Sequence, residues 1–293
     1  MRMRRSRLAA MLVASFTAVT LVAACGGSSE GSDVNVNTDA TFAAGSTMDS
    51  LQKAGKITIG VKVDQPGIGY QKPGADTPEG FDIEIGKIIA AGLGIEPGDI
   101  EWKETVSKNR EPFIQNGTVD IVIASYSITD KRKEVVGFAG PYYVTGQQLL
   151  VRADDASIKG PDDLDGKKVC SVTGSTSIKT VEEKYGAQPA PYSTYSECVQ
   201  QLDNKVVDAV TTDGAILLGY AAEDPDNRKV VGDAFSEERY GVGLKKGDTQ
   251  FCQFITDTLK GAQDDGSWAK AFEATLGKSG VETPAPPAMD ACS

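Results

Sequence analysis

Segments with strand-like and helix-like patterns alternate along this chain of 293 residues, and the alternation occurs in two separate runs. The first run covers residues 56–124 and the second covers residues 168–221. Strands that alternate with helices are typical of a sheet covered by helices. Because about 220 residues exceed the usual size of one domain, the pattern predicts two α/β units with separate cores.

The first run predicts strands at 56–61, 100–104 and 119–124 and helices at 82–93 and 111–116. The second predicts strands at 168–173 and 207–212 and helices at 175–184, 195–203 and 213–221. Extended runs at 147–152 and 240–244 are predicted to cross between the units, and closing helices at 249–265 and 267–276 to pack on the first. Since ligands bind beyond the carboxyl ends of such strands, we expect a cleft between the units.

The N-terminus has the pattern of an export signal. Four arginines precede an apolar run of 17 residues, which ends in Leu21-Val22-Ala23-Ala24-Cys25. Small residues before a cysteine resemble the lipobox of bacterial lipoproteins, which implies cleavage after residue 24 and a lipid on Cys25. The alternative is a plain transmembrane anchor, although such a span needs about 20 residues. The next residues are rich in Gly, Ser, Asn and Asp, which predicts a disordered tether.

The composition excludes several classes of function. Removal of residues 1–24 removes four arginines and no acids, so the formal net charge changes from −11 to −15. A chain this acidic is a poor partner for nucleic acid. It contains no histidine, which is the commonest general base and metal ligand. We therefore expect neither a triad hydrolase nor a zinc enzyme, and no metal or cofactor.

Four cysteines remain after Cys25, in a chain predicted to enter an oxidising space. Two disulfides are the simplest interpretation. Of the three possible pairings we favour Cys170 with Cys198 and Cys252 with Cys292, because each joins residues of one unit or its tail. The alternative is a four-thiolate metal site, but no Cys-x-x-Cys pair supports it.

Residues 119–132 predict a site for a carboxylate. An apolar strand is followed by Ser125, Ser127 and Arg132, and Thr129 can cap a short helix there. Arginine binds a carboxylate through two parallel hydrogen bonds, and neighbouring hydroxyls can satisfy the remaining lone pairs. The alternative is an ordinary surface arginine.

The segment Gly80-Phe81-Asp82-Ile83-Glu84-Ile85, followed by Ile89-Ala90 and Leu93, resembles the signature of family 3 solute-binding proteins. These are the polar amino-acid receptors of ABC importers. The resemblance continues through 125–132, 141–143, 149–151, 166–169 and 207–210. It implies a two-lobed, periplasmic-binding-protein-like (type II) fold, with a ligand cleft between lobes joined by two crossover strands.

Segments 64–67, 115–117, 170–176, 211–213 and 241–246 look most like the glutamate-binding lipoproteins of Gram-positive bacteria. The implied organisation is a signal peptide at 1–24, a lipidated Cys25 and tether at 25–50, lobe 1 at 51–149, lobe 2 at 150–242, a return to lobe 1 at 243–276 and a tail at 277–293.

The resemblance also implies roles for individual residues. Arg132, Ser125, Ser127 and Thr176 would bind the ligand's α-carboxylate, with Ser175 beside Thr176 at the start of a helix. Asp213 would pair with the α-amino group, and its alternative role is a helix cap. Arg110 would bind an acidic side chain, and Lys62 is a second, weaker candidate. Tyr70 could form an apolar or stacking wall, although core packing is an equal alternative.

The implied function is a lipid-anchored receptor on the extracellular face of the cell membrane. It would capture L-glutamate by closing its lobes and deliver it to an ABC permease and its ATPase, as a monomer and without catalysis. Alternatives are a glutamine or aspartate receptor of the same type, a small-molecule dehydratase on the same fold, and an extracellular sensor or adhesin.

Overall fold

The computed structural model describes residues 34–292, so the predicted signal peptide and Cys25 lie outside the described residues. The helices are α1 (Thr47–Ala54), α2 (Phe81–Gly92), α3 (Arg110–Gln115), α4 (Asp130–Lys133), α5 (Thr176–Lys184), α6 (Tyr195–Asp203), α7 (Gly214–Glu223), α8 (Thr249–Asp264) and α9 (Ser267–Ala274). The strands are β1 (Ile57–Val61), β2 (Asp64–Gln65), β3 (Gly69–Tyr70), β4 (Ile100–Glu104), β5 (Ile121–Ile123), β6 (Gly137–Thr145), β7 (Gln147–Arg152), β8 (Lys168–Val172), β9 (Gln188–Tyr192), β10 (Ala209–Asp213), β11 (Arg228–Val231) and β12 (Glu238–Leu244).

Two five-stranded sheets form the centres of two lobes. The sheet of lobe 1 has the order β4-β1-β5-β12-β6, and the sheet of lobe 2 has the order β11-β7-β10-β8-β9. In lobe 1, β1 pairs in parallel with β4 and β5, and β12 runs antiparallel to β5 and β6. In lobe 2, β8 pairs in parallel with β9 and β10, and β7 runs antiparallel to β10 and β11. The prediction of two α/β units is confirmed.

The chain crosses between the lobes at Gly146 and again just before Glu238. The extended runs at 147–152 and 240–244, which were predicted to make the crossings, each lie within one lobe instead. Strand β7 belongs to the sheet of lobe 2 from Gln147, and β12 belongs to the sheet of lobe 1 from Glu238. The two crossing segments touch, since a Cβ on Gly146 would lie 2.3 Å from the Ser236 carbonyl oxygen. Only glycine fits this close approach.

Helices α8 and α9 return to lobe 1, where they cover the apolar face of α2. The Phe81 ring lies edge-on to Trp268 and Phe272 at centroid distances of 5.7 and 5.3 Å. The indole N–H of Trp268 donates to the Tyr142 carbonyl at 2.8 Å, so the buried ring leaves no donor without a partner. This aromatic cluster fixes the C-terminal helices to the lobe in which the chain began.

Two disulfides are present within the described residues: Cys170 of β8 with Cys198 of α6, and Cys252 of α8 with Cys292 of the tail. This is the pairing favoured from the sequence. The second bridge ties the tail to lobe 1, and Asp290 strengthens the attachment by accepting from the Arg239 guanidinium at 2.6 Å.

Residues 34–46 pack against lobe 1, although their composition predicted a tether up to residue 50. The Asn37 N–H donates to the Ala91 carbonyl at 2.9 Å, and the Phe42 ring lies edge-on to Phe254. Helix α1 begins at Thr47 with Ser46 as its cap. The packed body therefore begins before residue 51. Between residues 34 and 292, no helix combines the length and apolar character that crossing a membrane requires.

Asp82, in the first turn of α2, holds the end of β5 in place. Its carboxylate is inaccessible to solvent and accepts from the Ser125 N–H at 2.8 Å and from the Tyr142 hydroxyl at 2.6 Å. Ser125 has a positive φ of 44°, which is strained for a residue other than glycine. Burial raises the pKa of Asp82 to about 6. The hydrogen bond that Asp82 accepts from the Ser125 N–H thus stabilises a turn that the chain would otherwise avoid.

We predict that Asp82→Ala lowers the free energy of unfolding by about 2–5 kcal/mol, because the Ser125 N–H and the Tyr142 hydroxyl both lose their buried acceptor. Urea denaturation followed by circular dichroism measures the change. Asp82→Asn keeps one acceptor and should lie between the wild type and Asp82→Ala. A loss below about 0.5 kcal/mol in Asp82→Ala would show that this carboxylate does not hold the turn.

Candidate functional site

The two lobes enclose a polar cavity at the edges of their sheets. Lobe 1 contributes Ser107, Arg110, Ser125, Ser127 and Arg132 to its lining, and lobe 2 contributes Ser175, Thr176, Ser177, Tyr195, Thr212, Asp213 and Ile216. Seven of the nine residues predicted to bind ligand are in this lining, and Lys62 and Tyr70 are not. Arginines lie on one side and an aspartate lies on the other.

Arg110 is a buried cation at the start of α3, with 2% of its surface exposed. Its guanidinium donates only to backbone carbonyls: Ser107 at 3.2 Å, Ala124 and Ser125 at 3.1 Å, and Gly174 of lobe 2 at 3.3 Å. It makes no ion pair with any residue between 34 and 292. Burial lowers the pKa of Arg110 to about 10, and the nearby charge of Arg132 adds to this effect.

Arg132 lies in α4 because Thr129 caps that helix, its side chain accepting from the Arg132 N–H at 3.2 Å. The Arg132 guanidinium donates to the carbonyls of Ser127 at 2.7 Å and Gly174 at 3.0 Å. Its Nε lies 3.3 Å from the Glu111 carboxylate, a contact that no sequence pattern indicated. Arg132 is therefore 8% exposed and lines the cavity, which excludes the alternative of an ordinary surface arginine.

Tyr126 lies between the two serines and orients both arginines. The guanidinium carbons of Arg110 and Arg132 lie 4.4 and 5.0 Å from the centroid of its ring. A buried aromatic ring attracts cations through its quadrupole. This ring therefore stabilises two like charges that would otherwise repel each other next to the cavity.

Asp213 ends β10 and is buried, with 4% of its surface exposed. Although it occupies the N-cap position of α7, its side chain makes no capping hydrogen bond, so the alternative role of a helix cap is not observed. Its Oδ2 accepts from the Tyr240 hydroxyl at 2.5 Å, and its Oδ1 has no hydrogen-bond partner among the described residues. Burial raises the pKa of Asp213 to about 7, and the charge of Glu238 adds to this effect.

Ser175 and Thr176 begin α5, whose N-terminus points to the cavity. Ser175 caps the helix by accepting from the Ile178 N–H at 3.1 Å. The Thr176 hydroxyl donates to the Glu238 carboxylate at 3.1 Å, so its proton is already engaged. An anion in the cavity would therefore meet backbone N–H groups and the helix dipole here rather than this hydroxyl proton.

Neither Lys62 nor Tyr70 lines the cavity. Lys62 is 3% exposed, and its ammonium donates to the hydroxyl of Ser107, which does line the cavity, at 2.8 Å. Burial lowers the pKa of Lys62 to about 7, and the charge of Arg110 contributes to this shift. Tyr70 lies in the β2–β3 hairpin, where burial and, to a smaller extent, the carboxyl group of Glu223 raise its hydroxyl pKa.

The sequence did not indicate five of the lining residues: Ser107, Ser177, Tyr195, Thr212 and Ile216. Ser107 lies in a single helical turn before Arg110, and Thr212 directly precedes Asp213. Both could have been predicted because each is close in sequence to a predicted site residue. The sequence predicts Tyr195 only as the first residue of an ordinary helix. Its side chain nevertheless lines the cavity.

A small zwitterion is the ligand type that this arrangement fits. The arginines of lobe 1 and the helix N-terminus of lobe 2 favour carboxylate, and the buried Asp213 of lobe 2, which has an unbonded oxygen, favours ammonium. Each of these charged groups is desolvated, so an ion of opposite sign would interact with it more strongly than in water.

The family model of the bacterial extracellular solute-binding proteins, family 3, matches residues 57–278. The glutamate-binding protein GluB of Corynebacterium efficiens is 39% identical over 284 residues, which cover 93% of this chain and 92% of that protein. The ABC transporter glutamine-binding protein GlnH of Bacillus subtilis is 34% identical over 278 residues, covering 94% of this chain and 99% of that protein.

Among solved structures, an ancestral arginine-binding protein bound to glutamine superposes with a TM-score of 0.71 at 35% identity, covering 76% of this chain and 98% of that chain. A solute receptor for L-cysteine of Neisseria gonorrhoeae gives a TM-score of 0.77 at 25% identity, covering 83% of this chain and 99% of that chain. The predicted family resemblance and the type II fold are both confirmed.

Proposed function

Because this chain belongs to family 3 of the bacterial extracellular solute-binding proteins, we propose that it captures L-glutamate between its lobes and delivers it to an ABC permease. The lipid on Cys25 would hold it at the extracellular face of the membrane. Binding by lobe closure needs no catalytic group. The permease and its ATPase would perform the transport.

The observation that carries this proposal is the buried charge of Arg110. Its hydrogen bonds go to neutral carbonyls, and a cation this deeply buried is costly unless an anion approaches it. Arg132 already provides a cation for an α-carboxylate. A second cation beside it supports a ligand with two carboxylates, which glutamate has and glutamine lacks.

The remaining charges of the cavity support the same orientation. The unbonded Oδ1 of Asp213 is suited to accept from an α-ammonium group. Lys62 adds a third cation behind Ser107, on the side of Arg110. Relatives that bind glutamate and glutamine both occur at over 30% identity, so glutamine is the second candidate ligand.

Closure would be stabilised by contacts between the lobes as well as by ligand. Asp64 of the β2–β3 hairpin accepts from the N–H groups of Tyr195 and Ser196, at 2.7 and 3.4 Å, at the start of α6 in lobe 2. The Tyr220 hydroxyl of α7 donates to the Asp64 carbonyl. A ligand that contacts both lobes adds to these contacts and shifts the population to the closed form.

The direct test is calorimetric titration of the protein without its signal peptide, after dialysis from mild denaturant. Glutamate, glutamine, aspartate and asparagine would be compared. We expect glutamate to bind with the highest affinity. A preference for glutamine would support an amino-acid receptor but contradict the ion pair proposed for the ligand's side chain. Binding of none of the four amino acids would refute the proposal.

We predict that Arg132→Ala weakens binding of both glutamate and glutamine by about 2–5 kcal/mol, because the α-carboxylate loses its partner. Arg110→Ala should weaken glutamate binding more than glutamine binding. Calorimetry with both ligands measures the difference. The control is Arg228→Ala, which removes a guanidinium at the far edge of lobe 2. If Arg110→Ala weakens the binding of both ligands equally, Arg110 does not bind the ligand's side chain.

We predict that the ratio of glutamate affinity to glutamine affinity falls as the pH rises through about 7, because Lys62 loses its proton there and a positive charge beside the cavity is lost. The titration of Asp213, whose pKa is also about 7, acts on both ligands through their α-ammonium group and cancels in this ratio. Lys62→Met should abolish the alkaline decrease in the ratio. If the decrease persists in Lys62→Met, another group causes it.

We predict that Gly174→Ala weakens binding of every amino acid by about tenfold or more, equivalent to about 1.4 kcal/mol. Gly174 has a φ of +88°, and a Cβ there would lie 3.0 Å from Lys108 Cα across the cleft. Gly166→Ala is the matched control, because Gly166 has a φ of +67° but nothing lies within 4 Å. Equal losses of affinity in Gly174→Ala and Gly166→Ala would show that backbone strain, and not blocked closure, causes the loss.

A further inference from the structure

Glu238 is a buried carboxylate that no sequence motif indicated. It is the first residue of β12, where the chain returns to lobe 1, and 5% of its surface is exposed. Its Oε2 accepts from the Thr176 hydroxyl of lobe 2 at 3.1 Å, and its Oε1 accepts from the Ser236 hydroxyl at 3.2 Å. Within residues 34–292, no lysine or arginine forms an ion pair with it.

Glu238 and Tyr240 are two residues apart on β12, so their side chains leave the strand on the same face. Tyr240 donates to Asp213 Oδ2 at 2.5 Å. The charge of Glu238 also acts on Asp213, where it adds to the effect of burial in raising the aspartate pKa. One face of β12 therefore presents both a hydrogen-bond donor and a like charge to Asp213.

Two buried carboxylates that repel each other are unfavourable unless a cation neutralises them. Arg110 and Arg132 act on Asp213 from lobe 1, but their hydrogen bonds go to backbone carbonyls and Arg132 pairs with Glu111. The Oδ1 of Asp213 has no partner among the described residues. The remaining candidate for a neutralising cation is the ligand.

We propose that Glu238 is a positioning residue for amino-acid binding, which supplies a second negative charge for the ligand's α-ammonium group and holds Thr176 at the start of α5. This inference rests on the proposed function. Every amino acid carries the α-ammonium group, so Glu238 sets affinity and leaves the choice of side chain to other residues. It acts through Asp213 and Thr176.

The groups that face Asp213 predict a specific pH response. They are Glu238 and Tyr240 of β12, Tyr195 of α6, Tyr143 of β6, Arg110 and Arg132. Burial raises the pKa values of Tyr195 and Tyr143 to about 12, so the tyrosines stay neutral below pH 8. The arginines stay charged. The decrease in affinity as the pH falls through about 7 should therefore report Asp213 beside Glu238, and a further decrease near pH 6 would report Asp82.

The test is the affinity for glutamine, whose side chain carries no charge, between pH 5 and 8 by calorimetry. In the wild type, affinity should fall as Asp213 takes up a proton below about pH 7. Glu238→Gln keeps the acceptor for Thr176 and removes the charge. We expect it to lower the affinity at pH 8 roughly tenfold and to move the acid midpoint down by about one pH unit.

Three further variants separate charge from structure. Glu237→Gln makes the same charge change at the neighbouring exposed residue and should behave as the wild type. Glu238→Asp keeps the charge and should keep the acid midpoint of the wild type. Thr176→Val keeps Glu238 and breaks the hydrogen bond, so it should lower affinity without moving the midpoint. The ratio of glutamate to glutamine affinity should stay constant in Glu238→Gln.

An unchanged acid midpoint in Glu238→Gln would overturn the inference, and so would an equal shift in Glu237→Gln. If Glu238→Gln does not fold, carboxyl carbon NMR of the wild type decides instead. We expect glutamine to move the titration of Asp213 to lower pH, and a Glu238 carboxyl resonance that does not change on ligand binding would overturn the inference. A wild type that binds no amino acid would refute the proposed function itself and this inference with it.

Discussion

The hydrogen bonds that Asp82 accepts are the interaction on which the binding side of lobe 1 depends. The carboxylate holds the Ser125 N–H and the Tyr142 hydroxyl, and so joins α2 to the end of β5 and to β6. The turn fixed in this way directs the Ser125 carbonyl to Arg110, and two residues later the Ser127 carbonyl accepts from Arg132. The aspartate of the signature segment is therefore structural, because its hydrogen bonds go to a backbone N–H and to Tyr142, whose side chain is outside the cavity lining.

Charge separation across the cleft is the second constraint, and it follows from which elements end there. Lobe 1 brings Arg110 and Arg132 to the cavity because a helical turn and a short helix follow its strands. Lobe 2 brings Asp213 from the end of β10 and the N-terminus of α5. Both arginines also donate to the Gly174 carbonyl, so the cations of one lobe bind the backbone of the other. The same side chains thus serve closure and the electrostatic field of the cavity.

Local pattern was sufficient to predict most of the fold. Helix α6 and strands β4 and β7 have the bounds that apolar periodicity and turn residues indicate, and a family resemblance indicated seven of the residues that line the cavity. Strand β6 was missed because Gly140 and Pro141 interrupt its pattern, while its pairing with β12 overrides local preference. Glu111 and Glu238 were missed for a different reason. A glutamate in a helix or at a strand end is normally solvated, and only the approach of Arg132 or of Thr176 from elsewhere in the chain shows otherwise.

The buried charges explain why stability and binding should oppose each other in this chain. Lys62, Arg110, Asp213 and Glu238 are all desolvated, and none of the four forms an ion pair among residues 34–292. Each lowers the stability of the closed form relative to an apolar residue of similar size. The contacts of Asp64 and Tyr220 favour closure independently of these charges. A ligand of complementary charge would offset the penalty on both sides of the cleft at once, so closure would depend on the ligand's charges as well as on its shape.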